Sequence, residues 1–142
     1  MSHVVTNKFK YESSIGGVDL STDTLKIALI DNIFIASSDD QISDINYFSA
    51  ISADWESTGT GYTAGGAELS AADVYQDNIN NRVIFSASDV AWNSSSISAY
   101  GAIIYRPTDS LAIVVIDFGS VKRSVNSPLD ISWSSNGIMN LI

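Results

Sequence analysis

Apolar residues alternate with polar or small ones along much of this chain, and this period of two most constrains its fold. In residues 25–29 (LKIAL), positions 25, 27 and 29 share one face, as in a β-strand that is buried on one side. Residues 111–118 (LAIVVIDF) are apolar on both faces, which predicts a strand in the middle of a sandwich. Further strands are predicted at residues 82–85, 98–105, 129–133 and 138–141. The pattern therefore predicts an all-β fold.

Helix signals are few and short. Residues 8–15 are predicted to form two turns that stop at two glycines, and residues 39–48 a short helix begun by an aspartate cap. Asn136 and Gly137 lie between the last two predicted strands, a pair typical of a type I′ β-hairpin turn. Without a repeat or linker in the sequence, we expect one β-sandwich or jelly-roll-like domain over residues 1–142, with one or two short helices.

Composition excludes several kinds of site and partner. The chain has no cysteine, so disulfides and thiolate metal sites are excluded. No apolar run has the length of a membrane span or a signal peptide, and we expect no membrane partner. The formal net charge is −9, which opposes binding to a phosphate backbone, so nucleic acid is not an expected partner.

Residues 57–66 (STGTGYTAGG) are rich in glycine, as phosphate-binding loops are. A P-loop also needs a lysine after its last glycine, but here Gly66 is followed by Ala67 and Glu68. The dinucleotide pattern fails as well, because Ala64 stands where its third glycine belongs. We interpret these glycines as supplying positive φ in a loop between strands, and we expect no bound cofactor.

Candidate catalytic and metal-binding groups are sparse. His3 is the only histidine and lies near the start of the chain. Asp54 and Glu56 flank Trp55 at i, i+2 spacing, which predicts only that they share a strand face. The acidic clusters at residues 39–44 and 73–77 lack the alternating ligand spacing of a calcium loop. We expect no enzyme, no catalytic residue and no metal site.

Aromatic residues carry more information. Trp92 and Trp133 lie in strand-like stretches and are predicted core residues. The aromatics of residues 40–66 form either a lid on the core or the anchors of a protein interface. Residues 1–17 are poorly periodic and are predicted to be an N-terminal assembly arm, whose removal up to residue 10 leaves a folded domain. The candidate assembly interface comprises Lys8, Phe9, Lys10, Tyr11, Tyr47, Phe48, Trp55 and Tyr62.

Five segments follow one another in an order that resembles a known family. They are VDLSTDTLKIALID at 18–31, GTGYTAGGAEL at 59–69, FSASDVAWNSSSISAYGAIIYR at 85–106, LAIVVIDFG at 111–119 and DISWSSNGIMNLI at 130–142. Together they are similar to a family of small virion structural proteins of tailed bacteriophages. Its members are described as capsid-decorating, cementing or tail-associated proteins, so the resemblance implies a non-enzymatic component of the phage particle.

Two functions follow as expectations. The first is a capsid decoration (cement) protein, a homotrimer made in the host cytoplasm that binds the major capsid protein on the outer surface of the virion. The alternative is a tail- or fibre-associated module that recognises a host glycan or surface protein, with Trp55 and Tyr62 stacking on sugar rings. An enzyme such as a cell-wall hydrolase is a third, less favoured interpretation.

Overall fold

The computed structural model describes residues 2–31 and 42–141. These residues form ten strands and two short α-helices, together with one 3₁₀ helix, and so confirm the predicted all-β fold. In chain order the elements are β1 Ser2–Val5, α1 Asn7–Ser14, β2 Lys26–Ile30, the 3₁₀ helix Phe48–Ala50, α2 Ser52–Trp55, β3 Ala67–Glu68, β4 Asp73–Asp77, β5 Arg82–Ser86, β6 Val90–Ser95, β7 Ser98–Arg106, β8 Leu111–Arg123, β9 Ser127–Ile131 and β10 Met139–Leu141.

The described strands form three antiparallel sheets. The largest has the order β1-β8-β7-β2-β3, and the smaller ones have the orders β10-β5-β4 and β6-β9. The strands β2, β7 and β8 occupy the centre of the large sheet because their sequences are apolar on both faces. The edges of that sheet are β1 and the two-residue strand β3.

Each face of the large sheet is covered by a separate core. Along β2, Ile27 and Leu29 belong to the first core, which they share with residues of both small sheets such as Phe85 and Trp92. The intervening Ala28 and Ile30 belong to a second core with residues of the segment 42–55. The members of this second core from that segment are Ile42, Ile45 and Phe48, with Ile51 and Trp55 packed at its margin. Both faces of the central strands are therefore removed from water.

The N-terminal segment is part of this domain and not a free arm. Strand β1 pairs with β8 from Ser2 opposite Asp117 to Val5 opposite Val114. The Thr6 hydroxyl then caps α1, accepting a 3.1 Å hydrogen bond from the Phe9 backbone N–H. Because Phe9 is only 2% exposed, removing residues 1–10 deletes an edge strand and a core side chain. The groups of this segment that remain available for assembly are the exposed side chains of α1 and the outer edge of β1.

The two predicted helices and the predicted hairpin have different outcomes in the structure. Helix α1 confirms the prediction at residues 8–15. The second predicted helix begins at residues 39–41, which lie outside the described residues, and the chain from 42 to 47 forms turns and extended backbone instead of a helix. The hairpin expected at Asn136 and Gly137 is wrong, because β9 pairs with β6 and β10 pairs with β5. A turn does form there, with Gly137 N–H bonded to the Ser134 carbonyl, and it passes the chain from one small sheet to the other.

Candidate assembly surface

Three of the predicted interface residues lie close together. Two of them, Lys8 and Tyr11, are on α1, and the third is Tyr47, which has extended backbone. The Lys8 Nζ lies 5.7 Å from the centroid of the Tyr11 ring and 5.8 Å from that of the Tyr47 ring, within the range of a cation–π contact. Lys8 also forms an ion pair with Glu12 at 2.8 Å, and this hydrogen bond raises the pKa of the lysine. Lys8 is therefore held as a cation between two tyrosines.

The exposed surface extends one turn further along the helix. Ile15 is the C-cap residue of α1 and follows Tyr11 by four positions, about one turn beyond it. Their exposed fractions are 62% and 60%, and that of Tyr47 is 40%. We call the surface formed by Lys8, Tyr11, Ile15 and Tyr47 the α1 patch. Lys10 is also exposed, but as the sequence neighbour of Tyr11 it lies off this stripe.

Backbone and side-chain hydrogen bonds fix the two parts of the α1 patch relative to each other. The Asn7 N–H donates to the Ser43 carbonyl at 2.8 Å, and the Asn7 side-chain amide donates to the Asp44 carboxylate at 2.9 Å. Next to Tyr47, the Phe48 N–H donates to the Ser110 carbonyl at 2.8 Å. The aromatic side chains thus stand on elements that are already tied to the sheet.

Two predicted interface residues are core residues instead, and their assignment to a contact surface is wrong. Phe9 lies on the side of α1 that packs onto the large sheet and belongs to the first core. Phe48 is 7% exposed and stacks on Tyr105, with ring centroids 4.3 Å apart. Both rings pack in the interior of the domain, where they hold α1 and the segment 42–55 against the sheet.

Trp55 is a half-buried lid on the second core. It packs against that core at the end of α2, and its backbone carbonyl accepts a 2.8 Å hydrogen bond from the Asp31 N–H, just beyond β2. Of the two interpretations of the loop aromatics, the lid describes Trp55.

Tyr62 packs against the first core, so that only part of its ring is exposed. Its hydroxyl donates to the Glu56 carboxylate at 2.7 Å and accepts a hydrogen bond from the Leu29 N–H at 3.0 Å. The ring lies at a tilt against Trp92, with centroids 6.0 Å apart. Burial, reinforced by the bond to Glu56, raises the pKa of Tyr62 well above its ordinary value. The phenol therefore stays protonated in the folded protein.

The same contacts explain the acidic pair and the glycine-rich loop. Asp54 lies in α2, whereas Glu56 lies beyond it and also accepts a 2.5 Å hydrogen bond from the Gly65 N–H, so the two do not share a strand face. The loop glycines at positions 59, 61, 65 and 66 have positive φ, as predicted. A Cβ built on Gly66 would lie 1.9 Å from the Ile27 carbonyl oxygen. The loop is packed directly on the backbone of β2.

A cleft of about 500 Å³ lies between the edge strand β1 and the edge strand β10. Its walls include Val5, Ile138 and Met139, with polar groups from Ser134, Asn136 and Asn140. Sequence reasoning missed this site because its two sides come from opposite ends of the chain. The sequence gives no signal that β1 pairs with β8, and that pairing is what places β1 beside the cleft.

Trp133 and His3 also line this cleft. Trp133 was predicted to be a core residue, but it packs at the margin of the first core with part of its surface exposed, whereas Trp92 is buried as predicted. The Trp133 indole N–H donates to the Ser88 carbonyl at 3.1 Å, and its backbone N–H donates to the Asp89 carboxylate at 2.9 Å. Across the cleft lies His3, and partial burial lowers the pKa of its imidazole.

Comparisons with known proteins give no relative: no family model, curated protein or solved structure matches this chain. Among residues 2–31 and 42–141, no group of three or more His, Asp or Glu side chains is placed to hold a metal ion. No helix in the part that the structure describes is long and apolar enough to cross a membrane.

Proposed function

We propose that this chain is a non-enzymatic structural protein of a tailed-bacteriophage virion, and that it acts as a capsid decoration (cement) protein on the outside of the shell. The resemblance of its ordered segments to the phage family is the basis for assigning the chain to the phage particle. It is also the basis for naming the major capsid protein as its partner. The α1 patch is the observation that supports an assembly role most directly. It presents two tyrosines and an isoleucine that the folded domain leaves uncovered.

The chemistry of the α1 patch suits a protein interface. Tyrosine is enriched at the centres of interfaces because a rigid ring buries a large area at a small cost in side-chain entropy. Lys8, positioned between Tyr11 and Tyr47 and paired with Glu12, keeps further N–H donors on its ammonium group. A shell surface with a shallow apolar depression and a carboxylate at its rim would complement this arrangement.

The number of copies on the particle tests the decoration role. Quantitative gel analysis of purified virions should show on the order of hundreds of copies, because a decoration protein repeats with the symmetry of the shell. A few copies per particle would contradict the proposal. If labelled protein binds host cells but not its own capsids, the chain is instead a tail- or fibre-associated module.

Substitutions in the α1 patch test the contact surface. Tyr11→Ala and Tyr47→Ala should each weaken binding to undecorated shells by about 2 kcal/mol if the rings are buried anchors, or roughly 30-fold in Kd. The matched control is Tyr75→Ala, because Tyr75 is exposed to a similar degree (41%) but lies on β4, outside the patch. Equal losses in all three variants, or none in the first two, would exclude this surface.

The proposed oligomer is a homotrimer seated at three-fold positions of the shell. Native mass spectrometry of particles treated with a short amine cross-linker should give a species of three times 15.2 kDa. Cross-links only to the capsid protein would show a monomeric decoration protein and exclude the trimer.

A further inference from the structure

We infer that the cleft between β1 and β10 binds a neutral saccharide, with Trp133 as the platform on which a sugar ring stacks. This binding activity is separate from the virion role proposed above, and neither depends on the other. We call the site the Trp133 cleft; it is lined by His3, Val5, Trp133, Ser134, Asn136, Gly137, Ile138, Met139 and Asn140.

The orientation of Trp133 is fixed before any ligand arrives. Hydrogen bonds from its indole N–H to Ser88 and from its backbone N–H to Asp89 hold both ends of the residue. Its contacts with the first core support the ring, while part of its surface remains exposed at the cleft. The C–H face of a pyranose ring is apolar and flat, and a fixed indole offers it a complementary surface with little entropy to lose.

Side chains around the ring supply the hydrogen bonds that sugar hydroxyls need. The Asn136 side-chain oxygen accepts a 3.1 Å hydrogen bond from Arg82, so its amide nitrogen remains as a donor on the other side. Asn140 adds a second amide, and Ser134 adds a hydroxyl. These donors and acceptors lie beside the partly exposed side chains of Val5 and Trp133, which supply the apolar surface of the cleft, as in small-molecule sites.

The charge and size of the Trp133 cleft select the ligand class. Among residues 2–31 and 42–141, no aspartate, glutamate, lysine or arginine lines this cleft. A charged ligand would lose the water around its charge without gaining an opposite charge in the cleft. A neutral ligand has no charge to desolvate, so it avoids this cost. The volume of about 500 Å³ lies within the range of sites that hold small molecules.

An extended peptide that adds a strand to β1 is the competing occupant. The Thr6 N–H donates to the Ile113 carbonyl in the ladder with β8, so by alternation the backbone groups of His3 and Val5 face outward. Two outward-facing residues give a short ladder, and strand addition would make no use of a fixed indole or of the side-chain amides. The saccharide uses all of them and is the occupant that we favour.

Titration of the full-length protein tests the inference. The Trp133 indole N–H resonance is followed by NMR as maltotriose, lactose and tri-N-acetylchitotriose are added, with sialyllactose as the charged counterpart of lactose. We expect a saturable shift with at least one neutral saccharide, at a Kd on the order of millimolar, as is common for weak single-site ligands. No shift with any of the three neutral saccharides would overturn the inference, and so would binding of sialyllactose at least as tight as that of lactose.

Variants separate the Trp133 cleft from the rest of the surface. For the saccharide that binds, Trp133→Leu should abolish binding and Asn136→Ala should weaken it about tenfold, measured by calorimetry. Asn93→Ala, at an exposed position of β6 outside the cleft, should leave it unchanged. If Trp133→Leu does not fold, the double variant Asn136→Ala, Asn140→Ala decides the matter. Unchanged affinity in that double variant would exclude the cleft as the saccharide site. If the Trp133 indole N–H resonance shifts only when a protein from the particle is added, the cleft is a peptide site instead.

Discussion

The Tyr62 hydroxyl donates a 2.7 Å hydrogen bond to the Glu56 carboxylate while it accepts one from the backbone N–H of Leu29 in β2. The same carboxylate accepts a hydrogen bond from Gly65, in the glycine-rich loop. One phenol and one carboxylate thus fasten this loop to the centre of the large sheet. A sequence that looks at first like a phosphate-binding loop serves here as an internal brace.

Replacing the phenol tests this brace. Tyr62→Phe keeps the ring against Trp92 but leaves the Leu29 N–H and the Glu56 carboxylate each without one hydrogen-bond partner. We expect the free energy of unfolding to fall by about 1–3 kcal/mol, the usual cost of an unsatisfied buried polar group. Urea unfolding of the two proteins measures this difference. A loss below about 0.5 kcal/mol would mean that the brace adds little stability.

Alkaline pH should weaken the protein through the same residue. Because the pKa of Tyr62 is raised in the folded state, unfolded chains release this proton near pH 10.0 while folded chains keep it. Stability is then fully present below pH 10.0 and falls as the pH rises above it. Burial raises the pKa of Tyr105 in the same direction. Thermal unfolding measured from below pH 10.0 to above it should show that stability falls less steeply with pH in Tyr62→Phe than in the wild type. Equal slopes would contradict the raised pKa of Tyr62.

A pair of glycine substitutions separates backbone strain from steric overlap. Gly66 and Gly119 both have φ near +80°, but a Cβ on Gly66 would overlap the backbone of β2, whereas one on Gly119 would meet nothing within 4 Å. Gly119→Ala should cost about 1 kcal/mol through its positive φ alone. Gly66→Ala should cost several times more, because the loop must move away from β2. Similar unfolding free energies for the two variants would show that the loop is not packed as described.

Two neighbouring aromatics on α1 should behave oppositely in stability measurements. Phe9→Ala removes a core side chain and should lower the free energy of unfolding by about 3–5 kcal/mol. Tyr11→Ala changes an exposed ring and should stay within about 0.5 kcal/mol of the wild type. Chemical denaturation of both variants checks the contrast. A destabilised Tyr11→Ala would place that ring in the core and remove it from the α1 patch.

Acid should loosen the hairpin that joins β7 to β8. Hydrogen bonds from Arg106 lower the pKa of Asp109 below its ordinary value of 3.8. The stabilisation from this carboxylate is therefore present above pH 3.8 and is lost as the pH falls through the lower folded-state value. Asp109→Asn should be less stable than the wild type at neutral pH, with a gap that narrows in acid. A gap independent of pH, measured by thermal unfolding, would contradict this.

The periodicity that predicted the central strands works because burial on one or both faces leaves a visible apolar pattern. Strands β2, β5, β7 and β8 were found this way. Strand β4 (DVYQD) was not, because it lies at the edge of a small sheet and is largely exposed. The four residues of β1 are too few to show a period, and a partner more than a hundred residues away in sequence specifies their conformation.

The candidate surface could be predicted only in part for a similar reason. Lys8, Tyr11 and Tyr47 were predicted because they lie in a poorly periodic N-terminal segment and in a loop-rich region with aromatics, and they do meet on one surface. Phe9 could not be separated from Tyr11 by type or position, since the face of α1 that turns inward is decided by packing on the sheet. The Trp133 cleft depends on where the edges of two sheets end, which no local pattern encodes.

The order of strands in the large sheet also determines when each strand can pair with its neighbours during synthesis. Strands β1 and β2 leave the ribosome early, yet their partners β8 and β7 come much later; Thr6 and Ala112, which share a hydrogen bond, are 106 residues apart. At translation rates of about 5–20 residues per second, the second of these residues is added roughly 5–20 s after the first. The hairpin of β7 and β8, joined by a short turn, can close as soon as it emerges and then recruit the earlier strands. Until that moment the apolar segment of β2 lacks its partner strand and is exposed to water, which favours aggregation of the nascent chain.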